Sequence, residues 1–154
     1  MRATRKHVFR HRLGMSALGV SVVIGFLAEG SVAPARDPQI STAAGVSLSP
    51  TESGVIDRTN DARAKRGLAP LAADASLMNG ARRQAAWMAR NRNLSHGQGV
   101  TENIAMGQSS ASEAVSGWMR SDGHRANILG SHTRIGVAMA RAADGTVYWC
   151  QQFR

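Results

Sequence analysis

The sequence predicts an α+β domain in which a small antiparallel sheet is covered by helices. Three observations lead there. Apolar residues recur at helical spacing in segments between residues 52 and 129; two strand-like runs, 135–140 and 146–153, follow around Asp144 and Gly145; and the single cysteine, Cys150, leaves packing alone to hold the chain together. Helices first and a hairpin last belong to segregated α+β domains rather than to alternating α/β ones. At 154 residues and 43% hydrophobic content the chain has the size of one domain and too much apolar material for disorder. No internal repeat is visible.

The elements follow in order. Residues 2–12 carry Arg2, Arg5, Lys6, Arg10 and Arg12 without an acid, and 13–28 are uncharged. That is the n-region and h-region of a signal peptide. A spanning helix needs about 20 apolar residues, and this run is interrupted by Gly14, Gly19 and Gly25. Ala33 and Ala35 form an A-x-A site, with cleavage after Ala35 giving a signal peptide over 1–35. The alternative is an uncleaved anchor; either way a secreted or extracytoplasmic location is expected. Residues 36–50, rich in Ser, Ala, Gly and Pro, read as a flexible tether, which puts the domain at 51–154.

Val55, Ile56, Thr59, Ala62 and Arg66 follow helical spacing up to Gly67, so a first helix is placed over 52–66. Asp74 is an N-cap for a second over 75–91, with Leu77, Met78, Ala81, Ala85, Met88 and Ala89 as its apolar stripe. Residues 93–109, Gly-rich and polar, read as a loop with one short strand near 102–105. Ser110 to Glu113 spell an S-x-x-E capping box opening a third helix over 111–120, and a short fourth is expected over 124–129. The hairpin closes the domain.

After the leader, residues 36–154 hold 14 Lys/Arg against 9 Asp/Glu, a net charge of +5. Nucleic-acid binding would need arginines gathered on one face, whereas Arg82, Arg83, Arg90 and Arg92 read as the solvated side of a helix; no nucleic acid is expected as a partner. Cys150, in a strand-like run, reads as a buried apolar residue, and the chain is expected to be a monomer.

Read in order, Asn60-Asp-Ala-Arg63, Gly67-Leu-Ala-Pro-Leu71, Ser95-His96-Gly97, Glu102-Asn103-Ile104-Ala105, Trp118-Met119, Gly123-His124-Arg125-Ala-Asn127-Ile128-Leu129, Ile135-Gly136-Val137 and Tyr148-Trp149 resemble the CAP superfamily. That superfamily gathers cysteine-rich secretory proteins, insect venom antigen 5 and plant pathogenesis-related proteins. The order and spacing match from about Val55 to Phe153, and the set is most similar to the short bacterial branch without disulfides. The resemblance implies an α-β-α sandwich, a small antiparallel sheet between helical layers, with a shallow cleft on one side.

The resemblance also implies a cleft that in many members gathers two His and two Glu as a divalent-metal site. His96, Glu102 and His124 match three of those positions; the fourth, three residues after Trp118, falls on Ser121. Asp122 is one residue away, and Glu113 is better explained as the N3 partner of the capping box. Two imidazoles and a carboxylate at about 2.0–2.2 Å can hold Zn2+ with a place left for water. The cofactor this set allows is Zn2+ or another divalent metal, on three ligands at most, with micromolar or weaker binding that fades below about pH 6 as the imidazoles protonate; the alternative is no cofactor.

Plainer roles stand beside these. His124 can be a polar residue at a helix start, bonding to backbone or to Glu102, and Glu102 can be a carboxylate satisfied by backbone N–H groups or by Arg125, fixing the 93–109 loop. For His96, in a loop between Ser95 and Gly97, a structural role is less natural. His132 belongs to no matched motif and reads as a solvated loop residue. Asn60, Arg63, Trp118 and Asn127 carry the structural motif: Trp118 as core, Arg63 and Asn127 as buried hydrogen-bonding groups tying helices to loops.

The function expected is an extracellular or envelope binding module whose cleft holds a divalent metal or small ligand and whose partner is a protein, lipid or envelope component. Two alternatives stay open. One is a metal-assisted peptidase or esterase with Glu102 as base, although no H-E-x-x-H helix and no G-x-S-x-G elbow occurs. The other is a surface interaction protein on an uncleaved N-terminal anchor.

Overall fold

The computed structural model describes residues 41–43 and 45–154; the expected signal peptide over 1–35, and the expected anchor with it, lie outside the described residues. Folded structure reaches back into the stretch whose composition reads as tether. Strands β1 (Ser41–Ala43) and β2 (Val46–Leu48) pair antiparallel around Gly45 at φ 80°, with Thr42 opposite Ser47. Val46 and Leu48 are buried in the main core, so this Ser-rich run is a strand with one apolar face.

Helix α1 (Pro50–Ala64) starts earlier than its apolar spacing predicts, because Ser49 to Glu52 form a capping box of their own. Ser49 Oγ accepts from Glu52 N at 3.3 Å and Glu52 Oε2 from Ser49 N at 2.8 Å, with Pro50 in the first turn. It also ends earlier, at Ala64, and Gly67 at φ 70° turns the chain back. Helix α2 (Ala75–Asn91) has Asp74 as its N-cap and Arg92 at φ 50° as a left-handed C-cap. Helix α3 (Ala111–Arg120) is capped by Ser110, and α4 (Asp122–Leu129) begins two residues before the expected start.

The main sheet has four strands: β3 (Ala72–Ala73), β4 (Thr101–Met106), β5 (Arg134–Arg141) and β6 (Val147–Phe153), in the order β3-β5-β6-β4. β6 is central between antiparallel partners and buried along its whole length, whereas the two residues of β3 pair parallel with β5. The sheet is therefore antiparallel save for one short edge that two alanines do not announce.

Alternation along the strands divides the core in two. On one face Ile104, Ala138, Tyr148 and Cys150 pack against Ala81, Ala85, Met88 and Ala89 of α2. On the other, Val137, Trp149 and Phe153 share a cluster with Val55 and Ile56 of α1, Val115 and Trp118 of α3, and Ile128 of α4. A sheet between helical layers is the α-β-α sandwich. Strand β4 is left at an edge beside the 93–100 loop, where the two layers and the loop converge.

Candidate functional site

Glu102, the second residue of β4, lies opposite Gln152 of β6. It is only 5% exposed, and both carboxylate oxygens are in use. Oε1 accepts from the Gly97 amide at 2.9 Å and faces His96 Nδ1 at 3.2 Å; Oε2 accepts from Gln152 Nε2 at 2.9 Å and from the Cys150 thiol at 3.3 Å. A carboxylate only accepts, so the contact at His96 places a proton on Nδ1, with Nε2 on the far side of the ring. The His96 side chain is 56% exposed. Gln84 of α2 steadies the loop beneath it by donating to Ser95 O at 2.6 Å.

His124, in the first turns of α4, is half-buried, and its main-chain oxygen accepts from Asn103 Nδ2 at 3.0 Å. Burial lowers its pKa, and the nearby His96 charge lowers it further. Its imidazole is thus neutral at pH 7, and the two rings belong to one electrostatic neighbourhood at the sheet edge.

Residues 56–153 match the model of CAP, the Cysteine-rich secretory protein family. The chain belongs to the CAP family. A Bacillus subtilis (strain 168) protein of uncharacterised function, YkwD, is 35% identical over 141 residues, 79% of this chain and 53% of YkwD, so the chain spans about half the length of that relative. The CAP domain is similar in fold to an extracellular protein containing an SCP domain from Bacillus anthracis str. Ames (TM-score 0.58, 26% identity, over 71% of this chain and 45% of that one). It is also similar in fold to NaASP2, solved with Zn2+ (TM-score 0.56, 16% identity, over 67% of this chain and 78% of that one).

The residues of this CAP domain do not fit a resident three-ligand metal. Among the described residues no group of three or more His, Cys, Asp or Glu side chains is placed to hold an ion. Glu102 spends its oxygens on internal donors. Ser121 joins α3 to α4 through main-chain bonds, its N–H to Trp118 O at 3.1 Å and its carbonyl accepting from Arg125 N at 2.8 Å. Asp122 points to solvent and pairs with Arg125 Nη2 at 2.7 Å. Arg125 therefore serves Asp122 and Met119 O, and Glu102 is satisfied without it. Glu113 accepts from Ser109 N and Oγ, bonds that hold its pKa below the ordinary carboxylate value.

The motif residues frame this edge. Arg63, 3% exposed, donates to the carbonyls of Ala69, Ile128, Gly130 and His132 at 2.8–3.3 Å, and Asn60 exchanges bonds with Leu71 N and O. Trp118 Nε1 donates to Ile104 O at 3.1 Å. Asn127 Nδ2 donates to Asn103 Oδ1, which begins a buried chain through Gln151 to Thr59 and links α4, β4, β6 and α1. His132 is half-buried and stacked on Phe153 with ring centroids 5.2 Å apart, not the solvated loop residue its lack of a motif suggests. Local sequence gives no sign of Cys150 or Gln152, which complete the Glu102 shell and which only the β4–β6 register brings there, nor of Gln84, which holds the loop at Ser95 O.

Proposed function

We propose that this CAP domain is an exported binding module without turnover of its own, in which His96 and His124 meet the ligand and Glu102 holds His96 in place. The observation that carries the reading is the state of Glu102: buried, with its two oxygens shared among Gly97, His96, Gln152 and Cys150. A general base needs a lone pair aimed at the proton it removes. Here the lone pairs serve the fold, while the ring they orient is the exposed member of the cluster. Imidazole nitrogens can donate a hydrogen bond or offer a lone pair, which suits a small polar ligand or weak capture of a divalent cation. Export is supported by the basic and apolar N-terminal residues and by the extracellular relative from Bacillus anthracis.

Zn2+ serves as a probe of the two rings rather than as a resident cofactor. In calorimetric titration at pH 7.5, binding of micromolar or weaker affinity is expected, weakened about tenfold or more in His96→Ala and in His124→Ala. Tight binding insensitive to both changes, or hydrolysis of a peptide or ester that vanishes in Glu102→Gln, would overturn the reading.

A further inference from the structure

A second feature lies beside the cluster and draws on none of its three named residues. An open groove of about 1050 Å3 runs between α2 and residues 97–101, with Gly80 and Gln152 at its floor. Pockets for single small molecules run to about 1,000 Å3, so this groove has room for several linked units. Its lining includes four arginines and no Asp or Glu. Arg82 is held by Glu52 and Arg154 by Asp74, each at 2.7 Å. Arg83 and Arg90 form no ion pair among the described residues. Between them stands Trp87, 40% exposed, four residues after Arg83 and three before Arg90 on the same helical face. The other two tryptophans, Trp118 and Trp149, are buried at 2% and 1%.

We infer that this groove binds an anionic polysaccharide, a chain of sugar rings bearing carboxylates. The guanidinium planes of Arg83 and Arg90 match carboxylates in a two-bond fork. The open face of Trp87 offers a flat apolar surface for a sugar ring, and the amide of Gln98 supplies hydroxyl partners. A bilayer is flat where this surface is concave. An acidic peptide would gain most from unpaired main chain at a sheet edge; the basic wall is a helix whose main-chain groups are already paired, and the edge strand β4 reaches the groove only at Thr101. A single-stranded nucleic acid uses several aromatic platforms, and the groove presents one.

Trp87, as the exposed tryptophan, reports occupancy directly by fluorescence. Titration of the whole protein with hexagalacturonate at low salt is expected to shift and quench its emission saturably, with binding weakened about tenfold in Arg83→Gln/Arg90→Gln and by added salt. In Trp87→Phe the signal disappears while calorimetry still detects weaker binding. His96→Ala is expected to bind like the parent, which separates this result from the fate of the imidazole reading. The proposal is overturned if hexagalacturonate does not bind, or if the arginine variant, shown folded by circular dichroism, binds equally well. It is also overturned if uncharged maltohexaose, hexaglutamate, oligothymidylate or phosphatidylglycerol vesicles bind as tightly as hexagalacturonate.

Discussion

Gly136 of β5 lies directly against the main chain of Leu77 in α2, so that a Cβ at 136 would overlap the Leu77 carbonyl group. The contact seats the first turns of α2 on the sheet. It thereby sets the height of the helix that carries Gln84 over the 93–100 loop and Trp87 over the groove.

Gly136→Ala is therefore expected to destabilise the protein by about 3 kcal/mol, the upper end for overpacking, because the neighbours are backbone that cannot rotate away. Gly117, inside α3, has open space where a Cβ would stand, with no atom within 4 Å, and no positive φ. Gly117→Ala is expected to raise stability by about 0.5–1 kcal/mol through helix propensity. Urea denaturation of the two variants beside the parent checks both signs, and equal midpoints would refute the close-packing argument.

Arg63 gathers four carbonyls from the segment after α1, the end of α4 and the turn that follows it, with no carboxylate among its partners. Arg63→Met keeps the buried stem but orphans those carbonyls, at an expected loss of about 3 kcal/mol. Arg63→Lys should recover only part of that loss, since one ammonium cannot reproduce the planar fork. Chemical denaturation ranks the three proteins, and a lysine variant as stable as the parent would show that charge alone suffices.

What is legible in the sequence follows from where the information sits. Helices α2 and α3 can be read to the residue because cap and stripe agree: Asp74 before Leu77 and Met78, Ser110 before Ala114 and Val115. The start of α1 is masked, because Ser49-Pro-Thr-Glu52 caps the helix from within a stretch whose composition reads as tether. The motif brings out His96, Glu102 and His124, but not what they do. Glu102 acquires Gln152 and Cys150, 50 and 48 residues away, only when β4 pairs with β6, and no local pattern records that pairing.

Stability should depend on pH through two histidines. Burial lowers the pKa of His124 and the His96 charge adds to it; burial lowers that of His132, with the Arg63 guanidinium adding. The unfolded chain protonates these rings near the ordinary value of 6.5 while the folded chain resists, so the unfolded state binds more protons as pH falls. Their contribution is intact above about pH 6.5 and declines as pH falls towards the depressed folded values. Glu52 acts in a more acid window: burial alone would raise its pKa, but the bonds from Arg82 and Ser49 and the Arg82 charge together outweigh it and lower it, so its contribution is lost only below its ordinary 4.5. Unfolding free energies between pH 7.5 and 5.5 should fall with acidity, less steeply in His132→Gln; a flat profile in the parent would contradict the assignment.

Glu102→Gln tests the role given to the carboxylate most sharply. An amide has one acceptor oxygen and one NH2 group. In either orientation the NH2 confronts donors, Gly97 N–H and His96 on one side or Gln152 and Cys150 on the other. A loss of about 1–3 kcal/mol is expected, the range for leaving a buried polar group without its partner. Where the loss appears matters more than its size. If Glu102 fixes the loop, the Gly97 amide should exchange its hydrogen markedly faster in the variant, while core amides of β6 slow or speed only with global stability. Unchanged exchange at Gly97 alongside a lower denaturation midpoint would mean that the carboxylate supports the β4–β6 pairing and that the loop holds His96 by other bonds, with Gln84 to Ser95 the first to examine.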